Sequence, residues 1–395
     1  MKAVIIPTGN YKNLSPMTDS VSESMLPIVN KPLLEHQIEF LAQQNIKDIL
    51  VLLKHKPDQV KSHFGCGERW GVKLKIIETD KYKDALDALS QIQEYLEGVT
   101  LCLQGNVLSN HDVTQLVKEH EQRENNITLC LKQELESSRL SSLLEEHHFI
   151  IEAGFLRNKH ELEKFNKVSV GQNRNMSKIN ISYHPTSNRI LIDSPQAYWK
   201  ANKMILENKM KGFVVKGKEI SKGIWVGSHS EVHPKAILRA PLVVGDHCVI
   251  NKSALIEQGN IIGDHSIIDE EACLVRSIIW EGTYTGTRTD IKDSVVNKNL
   301  LFSIPRKTML RVADPFLLGD SEPDINIFRK PDRKKHGSIL RNRLFSFPIR
   351  AFDKAVIAFN IFKAHLKLQK KSMEPRGMGS IFSSKTVNPK FGTRL

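Results

Sequence analysis

The chain has 395 residues, 40% of them hydrophobic, and a formal net charge of +13, so it is long enough for two or three domains with a core each. The charge is uneven: residues 329–395 hold 17 Lys and Arg against 3 Asp and Glu, which leaves a net −1 over residues 1–328. The five cysteines are scattered without Cys-x-x-Cys spacing. This argues against a disulfide framework or zinc site and predicts buried free thiols in a reducing compartment.

The chain opens directly on an apolar run and not on a signal peptide, so we expect a cytoplasmic protein. Strand-like and helix-like segments alternate from residue 1 to about residue 208, which predicts an α/β domain with a mostly parallel sheet and helices on both faces. The predicted strands are Ala3–Ile6, Ile49–Leu53, Leu74–Glu78 and Thr100–Leu103, and the predicted helices are Pro32–Gln44, Pro57–Phe64, Asp84–Tyr95 and Val113–Arg123.

Ligands of such sheets bind beyond the carboxyl ends of the strands, which places the candidate site at the loops after Ile6 and Leu103. The first loop carries Gly9 and leads toward a helix that begins near Leu33. Loop amides and a helix N-terminus can hold a phosphate. An ordinary strand-to-helix turn is the alternative interpretation of this one glycine.

The first forty residues resemble the opening of the sugar nucleotidyltransferases, most closely the mannose-1-phosphate guanylyltransferase-like branch. The positions that agree are Gly9, Leu14, Pro16, Met17, Thr18, Met25, Leu26, Pro27 and Asn30–His36. The resemblance implies a Rossmann-like nucleotidyltransferase domain over residues 1–210, related to enzymes that join a nucleoside triphosphate to a sugar-1-phosphate. The nucleotide-binding candidates are Thr8, Gly9, Asn10 and Lys12.

The residues that carry the chemistry in that family are replaced here. Tyr11 stands at the second glycine, Lys12 and Asn13 replace a Thr-Arg pair, and Glu23 replaces a lysine. The two aspartates that bind Mg²⁺ in the family fall on Asn106 and Leu191.

These replacements remove charge that phosphoryl transfer depends on. We therefore assign no catalytic or metal residue and treat Asn13, Glu23, Asn106 and Leu191 as degenerate positions. Mg²⁺ is expected only if activity survives.

Later segments agree with the family in part. Lys83–Leu89 lacks the two glycines of the family's Gly-Thr-Ala-Gly segment, whereas Ser194, Pro195, Tyr198, Ala201 and Asn202 match its later motif. Residues 169–182 are polar and without period, which predicts a loop.

Residues 220–302 repeat with a period of six. Large aliphatic residues recur at Val226, Val232, Leu238, Val244, Ile250, Ile256, Ile262, Ile268 and Leu274. Mostly small residues follow four positions later, from Ser230 to Ile278. Fixed hexapeptides predict a parallel β-helix in which three six-residue sides, about 18 residues, close one coil, and the resemblance implies a left-handed one. His229, His233, His247 and His265 suggest either solvated corners, which we favour, or an acyltransferase site.

Residues 303–336 are predicted as a linker and residues 337–395 as a basic tail. Ile339–Leu368 is rich in apolar residues, and its apolar core, Ala351–Leu366, is too short and too polar for a spanning helix. An amphipathic helix on an anionic membrane surface fits these residues, and docking on a protein is the alternative. Residues 350–387 also weakly resemble the start of the polyprenyl-phosphate sugar-1-phosphate transferases. No recognisable motif supports nucleic-acid binding, so we do not expect it.

Three functions are compatible with these features. The first, which we favour, is an inactive regulatory or scaffold subunit of sugar-nucleotide metabolism that binds a nucleotide sugar and forms a homo-oligomer or pairs with an active paralogue. The second is an active transferase with a rearranged site, with Lys12 on the phosphates and Asn106 on Mg²⁺. The third is an adaptor for glycan assembly at the inner membrane face, held there by residues 329–395.

Overall fold

The computed structural model describes residues 1–7, 11–15, 17–54, 56–79, 82–131, 140–158, 165, 180–185 and 189–321. The predicted basic tail at 337–395, residues 322–336 of the predicted linker, and most of the predicted 169–182 loop lie outside these residues. The chain splits into two units, Met1–Asp324 and Ile325–Leu395, and every described residue belongs to the first.

The first half of this unit is an α/β fold. Its strands are β1 (Lys2–Ile6), β2 (Pro27–Ile28), β3 (Lys31–Pro32), β4 (Asp48–Leu53), β5 (Lys73–Glu78), β6 (Val99–Gln104), β7 (Val107–Ser109), β8 (Ile127–Leu131), β9 (Phe149–Glu152), β10 (Ile181–Pro185) and β11 (Arg189–Leu191). Its helices are α1 (Leu33–Gln43), α2 (Pro57–Phe64), α3 (Ala85–Gln91), α4 (Val113–Gln122), α5 (Leu140–Glu146), α6 (Ala153–Leu156) and α7 (Pro195–Leu206). The four predicted strands and four predicted helices are confirmed, with ends that differ by a few residues.

Seven strands form the main sheet in the order β10-β8-β9-β6-β1-β4-β5. The pairs of β1 with β4 and β6, of β4 with β5 and of β8 with β10 are parallel, whereas β9 runs antiparallel to both neighbours. The sheet is thus mostly parallel, as predicted, and the central strand β1 lies next to β6, so that the two predicted site loops leave neighbouring strands.

Successive residues of a strand point to opposite faces of the sheet, and both faces here bury a core. Val4 and Ile6 pack in one cluster with residues of α3 and α5. Ala3 and Ile5 pack in the other cluster with residues of α1, α2 and α4. Burial on both faces explains why these strands read as continuous apolar runs.

The second half of the unit consists of short strands. They are β12 (Lys218–Ser221), β13 (Ile224–Val226), β14 (Glu231–Val232), β15 (Ile237–Leu238), β16 (Leu242–Val244), β17 (Val249–Ile250), β18 (Leu255–Ile256), β19 (Asn260–Ile262), β20 (Ile267–Ile268), β21 (Cys273–Val275), β22 (Ile278–Ile279), β23 (Thr283–Thr285), β24 (Asp290–Lys292), β25 (Ser294–Asn297), β26 (Leu300–Ser303), β27 (Thr308–Arg311) and β28 (Leu318–Asp320).

Most of these strands pair in parallel, in three sheets of eight, five and four strands. Ile237 lies opposite Leu255 and Glu231 opposite Val249, so strands one predicted coil apart along the chain are neighbours. Later in the region the spacing is one residue shorter, with Ile261 opposite Ile278. The arrangement is compatible with a parallel β-helix.

Six of the nine predicted inward positions form the core of this region, and the other three, Val226, Val232 and Leu238, are half-buried and pack against it. Val244, Ile250, Ile256, Ile262, Ile268 and Leu274 are at most 1% exposed. The four histidines are exposed, as favoured from the sequence. Three of them stack: the ring centroids of His229 and His247, and of His247 and His265, are 5.0 Å apart.

Two features differ from the expectations. Cys66 is exposed while Cys102, Cys130 and Cys248 are buried, all five cysteines being free. Strands β27 and β28 lie within the stretch predicted as a linker, because β27 continues the eight-stranded sheet and β28 pairs with β23. Within the described part of the chain, no helix is long and apolar enough to cross a bilayer.

Candidate functional site

The two predicted site loops meet at the carboxyl edge of the main sheet. The amide of Gly105, directly after β6, donates to the carbonyl of Ile6 at the end of β1, at 2.7 Å. A Cβ atom on Gly105 would lie 3.1 Å from Cα of Pro7, tighter than ordinary packing allows. The glycine therefore permits the close contact between the two loops.

The nucleotide-binding candidates fall mostly beyond what can be described. Thr8, Gly9 and Asn10 lie outside the described residues, as does the side chain of Lys12, whose backbone belongs to a 3-10 turn at Tyr11–Leu14. Asn13, in the same turn, is exposed.

The two degenerate metal positions are brought together. Ile192 donates its amide to the carbonyl of Asn106 at 2.8 Å, and the next residue along, Val107, pairs with Leu191 across the β7–β11 ribbon. The side chain of Asn106 is 3% exposed, and its Oδ1 has no hydrogen-bond partner among the described residues.

This donor set does not fit a magnesium ion. Asn106 offers one neutral oxygen and Leu191 offers none, whereas Mg²⁺ is held through carboxylates and phosphate oxygens. Among the described residues, no group of three or more His, Cys, Asp or Glu could hold a metal ion. The two positions predicted from the resemblance thus lie on or beside neighbouring strands, and neither side chain carries a charge.

Buried glutamines position the turn between β6 and β7. Nε2 of Gln37 on α1 donates to the carbonyls of Gln104 and Val107, at 2.7 and 2.9 Å, and the side chain of Gln104 donates to the carbonyl of Leu144. Sequence reasoning missed both side chains, because nothing local marks an interior glutamine as the partner of a distant turn.

A lysine with acidic neighbours lies at the end of β4, and sequence reasoning missed it too. The Nζ of Lys54 is 3.2 Å from the ring centroid of Tyr82, whose hydroxyl donates to the carbonyl of Pro7 at 2.9 Å. Burial lowers the pKa of Lys54, and the carboxylates of Glu145, Asp87 and Glu23 oppose that shift. The rule that strand ends carry the site could have identified Lys54, which directly follows β4.

The electrostatics of this edge are acidic. Glu23 begins a short 3-10 turn and is half-buried. Burial raises the pKa of Glu145, with the charge of Asp84 adding to the effect. The charges of Glu145, Asp87 and Glu23 thus act on Lys54, which is itself exposed, at an edge where phosphate binding needs positive charge.

The residues that match the family outside the chemical positions serve the scaffold. The amide of Val29 donates to Oδ1 of Asn202 at 2.7 Å, and the hydroxyl of Tyr198 donates to the carbonyl of Pro27 at 2.7 Å. Nδ2 of Asn30 donates to the carbonyl of Ile262 at 2.7 Å. These bonds tie the β2–β3 hairpin to α7 and to the short strands β12–β28 (Lys218–Asp320), called the coiled region below after the predicted coil spacing.

Residues 2–140 match the sequence model of the family described as "Nucleotidyl transferase". Residues 2–140 are a nucleotidyl transferase domain. The matched stretch contains the carboxyl edges of β1, β4 and β6, and therefore Glu23, Lys54 and Asn106.

Curated relatives that match this part of the chain are named as nucleotidyltransferases of a sugar-1-phosphate or of choline phosphate. A UTP–glucose-1-phosphate uridylyltransferase of Synechocystis is 31% identical over 153 residues, covering 35% of this chain and 39% of the relative. A choline-phosphate cytidylyltransferase of Streptococcus pneumoniae is 38% identical over 87 residues, 21% of this chain and 34% of the relative. A mannose-1-phosphate guanylyltransferase of Mycobacterium tuberculosis is 26% identical over 130 residues, 33% of this chain and 36% of the relative.

In each case the match spans well under two thirds of the relative's length. Among solved structures, a candidate glucose-1-phosphate thymidylyltransferase of Bacillus anthracis aligns with a TM-score of 0.44 and 16% identity, over 55% of this chain and 98% of that one.

Proposed function

We propose that this protein is a catalytically inactive nucleotidyl transferase of sugar-nucleotide and polysaccharide biosynthesis, acting as a regulatory or scaffold subunit that binds a nucleotide sugar. The observation that carries the proposal is the charge of the site. An asparagine and a leucine occupy the two metal positions, and Glu23 shares the neighbouring edge with Lys54, Asp87 and Glu145.

The energetic consequence is large. Losing one charged contributor to a transition state typically costs about 10²- to 10³-fold in rate. Four charged positions are changed here, at Asn13, Glu23, Asn106 and Leu191. Even with strong non-additivity, the family's chemistry falls to background.

The relatives named above are described by their action on glucose-1-phosphate, choline phosphate or mannose-1-phosphate. We propose a nucleotide sugar as the ligand because most of these names belong to sugar-1-phosphate transferases. The oligomer would be formed with further copies or with an active paralogue. We propose that the coiled region is a left-handed β-helix and that it offers the assembly surface. Its parallel strands, paired at the spacing of one predicted coil, support the β-helix.

Two measurements on the full chain test this function. Pyrophosphate release, assayed with each nucleoside triphosphate and with glucose-1-phosphate or mannose-1-phosphate, is expected to stay at background. Titration calorimetry with UDP-glucose and GDP-mannose is expected to detect binding of one of them. Turnover that disappears in Asn106→Ala would overturn the inactive assignment, and absence of heat with every nucleotide sugar would overturn the ligand.

A second candidate is an active transferase with a rearranged site, using Lys12 on the phosphates and Asn106 on Mg²⁺. The buried Oδ1 of Asn106, which has no partner among the described residues, favours it. The pyrophosphate assay separates it from the first.

A third candidate is an adaptor peripheral to the inner membrane face. The charge of +14 over residues 329–395 favours it, since each basic residue near an anionic surface contributes about 1 kcal/mol. Flotation of the full chain with vesicles containing phosphatidylglycerol, against neutral vesicles, tests it.

A further inference from the structure

The eight-stranded sheet of the coiled region ends in an exposed strand. β27 (Thr308–Arg311) pairs with β26 on one side, and among the described residues nothing pairs with its other side. All four of its residues are exposed, and Met309 and Leu310 are 44% and 56% exposed. An open strand edge with apolar side chains is a template for another strand.

The pairing with β26 identifies the backbone groups at this edge. The amide of Val312 donates to the carbonyl of Asn299 at 2.8 Å, and in the same register Leu310 lies opposite Leu301. Hydrogen-bonded and non-hydrogen-bonded pairs alternate along antiparallel strands. The amides and carbonyls of Met309 and Arg311 therefore face away from β26, toward the side on which no described strand pairs with β27.

The charge around the edge is positive. Arg306, Lys307 and Arg311 lie on or beside β27, and the nearest acidic residues along the chain are Asp314 and Asp293, the second of which pairs with Arg276. A second copy of β27 would bring its own three cations against these three, which is unfavourable because like charges across paired strands repel. A strand that carries carboxylates would complement them.

We propose that β27 is a docking edge for an extended acidic segment of a partner protein, which adds to the sheet as a ninth strand. Main-chain hydrogen bonds to Met309 and Arg311 would supply the pairing. Met309 and Leu310 project to opposite faces of the sheet, so the added strand would cover apolar surface on both. This surface is separate from the transferase site and does not depend on the proposed function.

Fluorescence anisotropy of the full chain with labelled peptides tests the proposal. The probe is Glu-Val-Glu-Val-Glu-Val, compared with Lys-Val-Lys-Val-Lys-Val. We expect the acidic peptide to bind at least about tenfold more tightly, the size of effect that one or two charge-assisted bonds produce.

Met309→Pro removes the amide that points away from β26 and keeps the hydrogen bonds to β26. It should therefore weaken binding of the acidic peptide at least about tenfold. Ile220→Pro, on the exposed strand β12 at the opposite edge of the same sheet, is the matched control and should leave the affinity unchanged. Thermal unfolding of each variant checks the fold.

The triple variant Arg306→Glu, Lys307→Glu, Arg311→Glu should weaken binding of the acidic peptide at least about tenfold, and it decides the question if Met309→Pro unfolds. Equal binding of both peptides by the unaltered chain would overturn the proposal, and so would acidic-peptide binding that both variants retain. Self-association that Met309→Pro abolishes, without peptide binding, would identify a second copy as the occupant and would also overturn it.

Discussion

The ammonium group of Lys54 lies 3.2 Å from the centre of the Tyr82 ring, while the Tyr82 hydroxyl donates to the carbonyl of Pro7. Three chain segments thus meet at one edge: the end of β1, the end of β4 and the segment before α3. Glu23, Asp87 and Glu145 act electrostatically on the same lysine. The positive charge of Lys54 is therefore offset in part by the protein's own carboxylates.

Restoring the family's charges should restore phosphate and metal affinity. We expect the triple variant Glu23→Lys, Asn106→Asp, Leu191→Asp to bind GTP in the presence of Mg²⁺ at least about tenfold more tightly than the unaltered chain, since each charged contact contributes about 1.5–3 kcal/mol. The same triple variant without Mg²⁺ is the control. Calorimetry showing equal affinity for both proteins would contradict the electrostatic account of the site.

The hydroxyl of Tyr82 should matter for stability. Tyr82→Phe leaves the ring under Lys54 and removes the bond to Pro7, so the free energy of unfolding should fall by about 1 kcal/mol. Tyr95→Phe is a suitable control, because Lys75 also lies over that ring, at 3.9 Å, and the change removes no hydroxyl bond within the described part of the chain. Urea unfolding followed by circular dichroism measures both; equal losses would argue against a specific role of the Tyr82 hydroxyl.

Gly105 should not tolerate a side chain. In Gly105→Ala the new Cβ would meet Cα of Pro7 at 3.1 Å and the carbonyl oxygen of Ile6 at 3.2 Å, and the two loops must separate. We expect a loss of about 1–3 kcal/mol. Gly154→Ala, in α6 with nothing within 4 Å of the new Cβ, should change stability by no more than about 1 kcal/mol, in the stabilising direction.

Stability should fall as the solution becomes acidic. Burial lowers the pKa of His36, His111 and His147 to about 4, below the usual value of about 6.5. Between these values the unfolded chain binds protons that the folded chain does not. The contribution of these three histidines to the free energy of unfolding is therefore complete above about pH 6.5. As the pH falls toward 4, each of them lowers the free energy of unfolding by up to about 1.4 kcal/mol per pH unit.

Urea midpoints at pH 7, 6 and 5 measure this dependence. His147→Gln should reduce the slope by the contribution of one imidazole. A midpoint that stays constant between pH 7 and 5 would contradict the prediction.

Substitution of Trp280, which lies at the contact between the α/β part and the coiled region, should lower the free energy of unfolding. Its indole Nε1 donates to the hydroxyl of Tyr198 at 3.0 Å, and both side chains are buried. Trp280→Phe keeps an aromatic ring and loses this donor, so we expect a loss of about 1–3 kcal/mol. Trp70→Phe, whose ring is partly buried and lies against Phe64, is the comparison and should lose less.

The strands, the helices and the hexapeptide repeat follow from local patterns. Ala3–Ile6 is apolar throughout because the strand is buried on both faces, and the large residues that recur at every sixth position from Val244 to Leu274 are buried together in one core. Such periodicities lie in neighbouring residues, so they can be recognised without a structure. The degenerate positions could be named in the same way, from the resemblance.

Only the tertiary structure decided which distant residues share the site. Lys54, Tyr82, Gln37 and Glu145 are far apart along the chain and lie at one sheet edge because β1 pairs with both β4 and β6. The exposed edge of β27 is likewise a property of the sheet. A lone lysine, an interior glutamine or a short apolar run carries no local mark of its neighbours, since contact and burial are set by how the strands pair and pack.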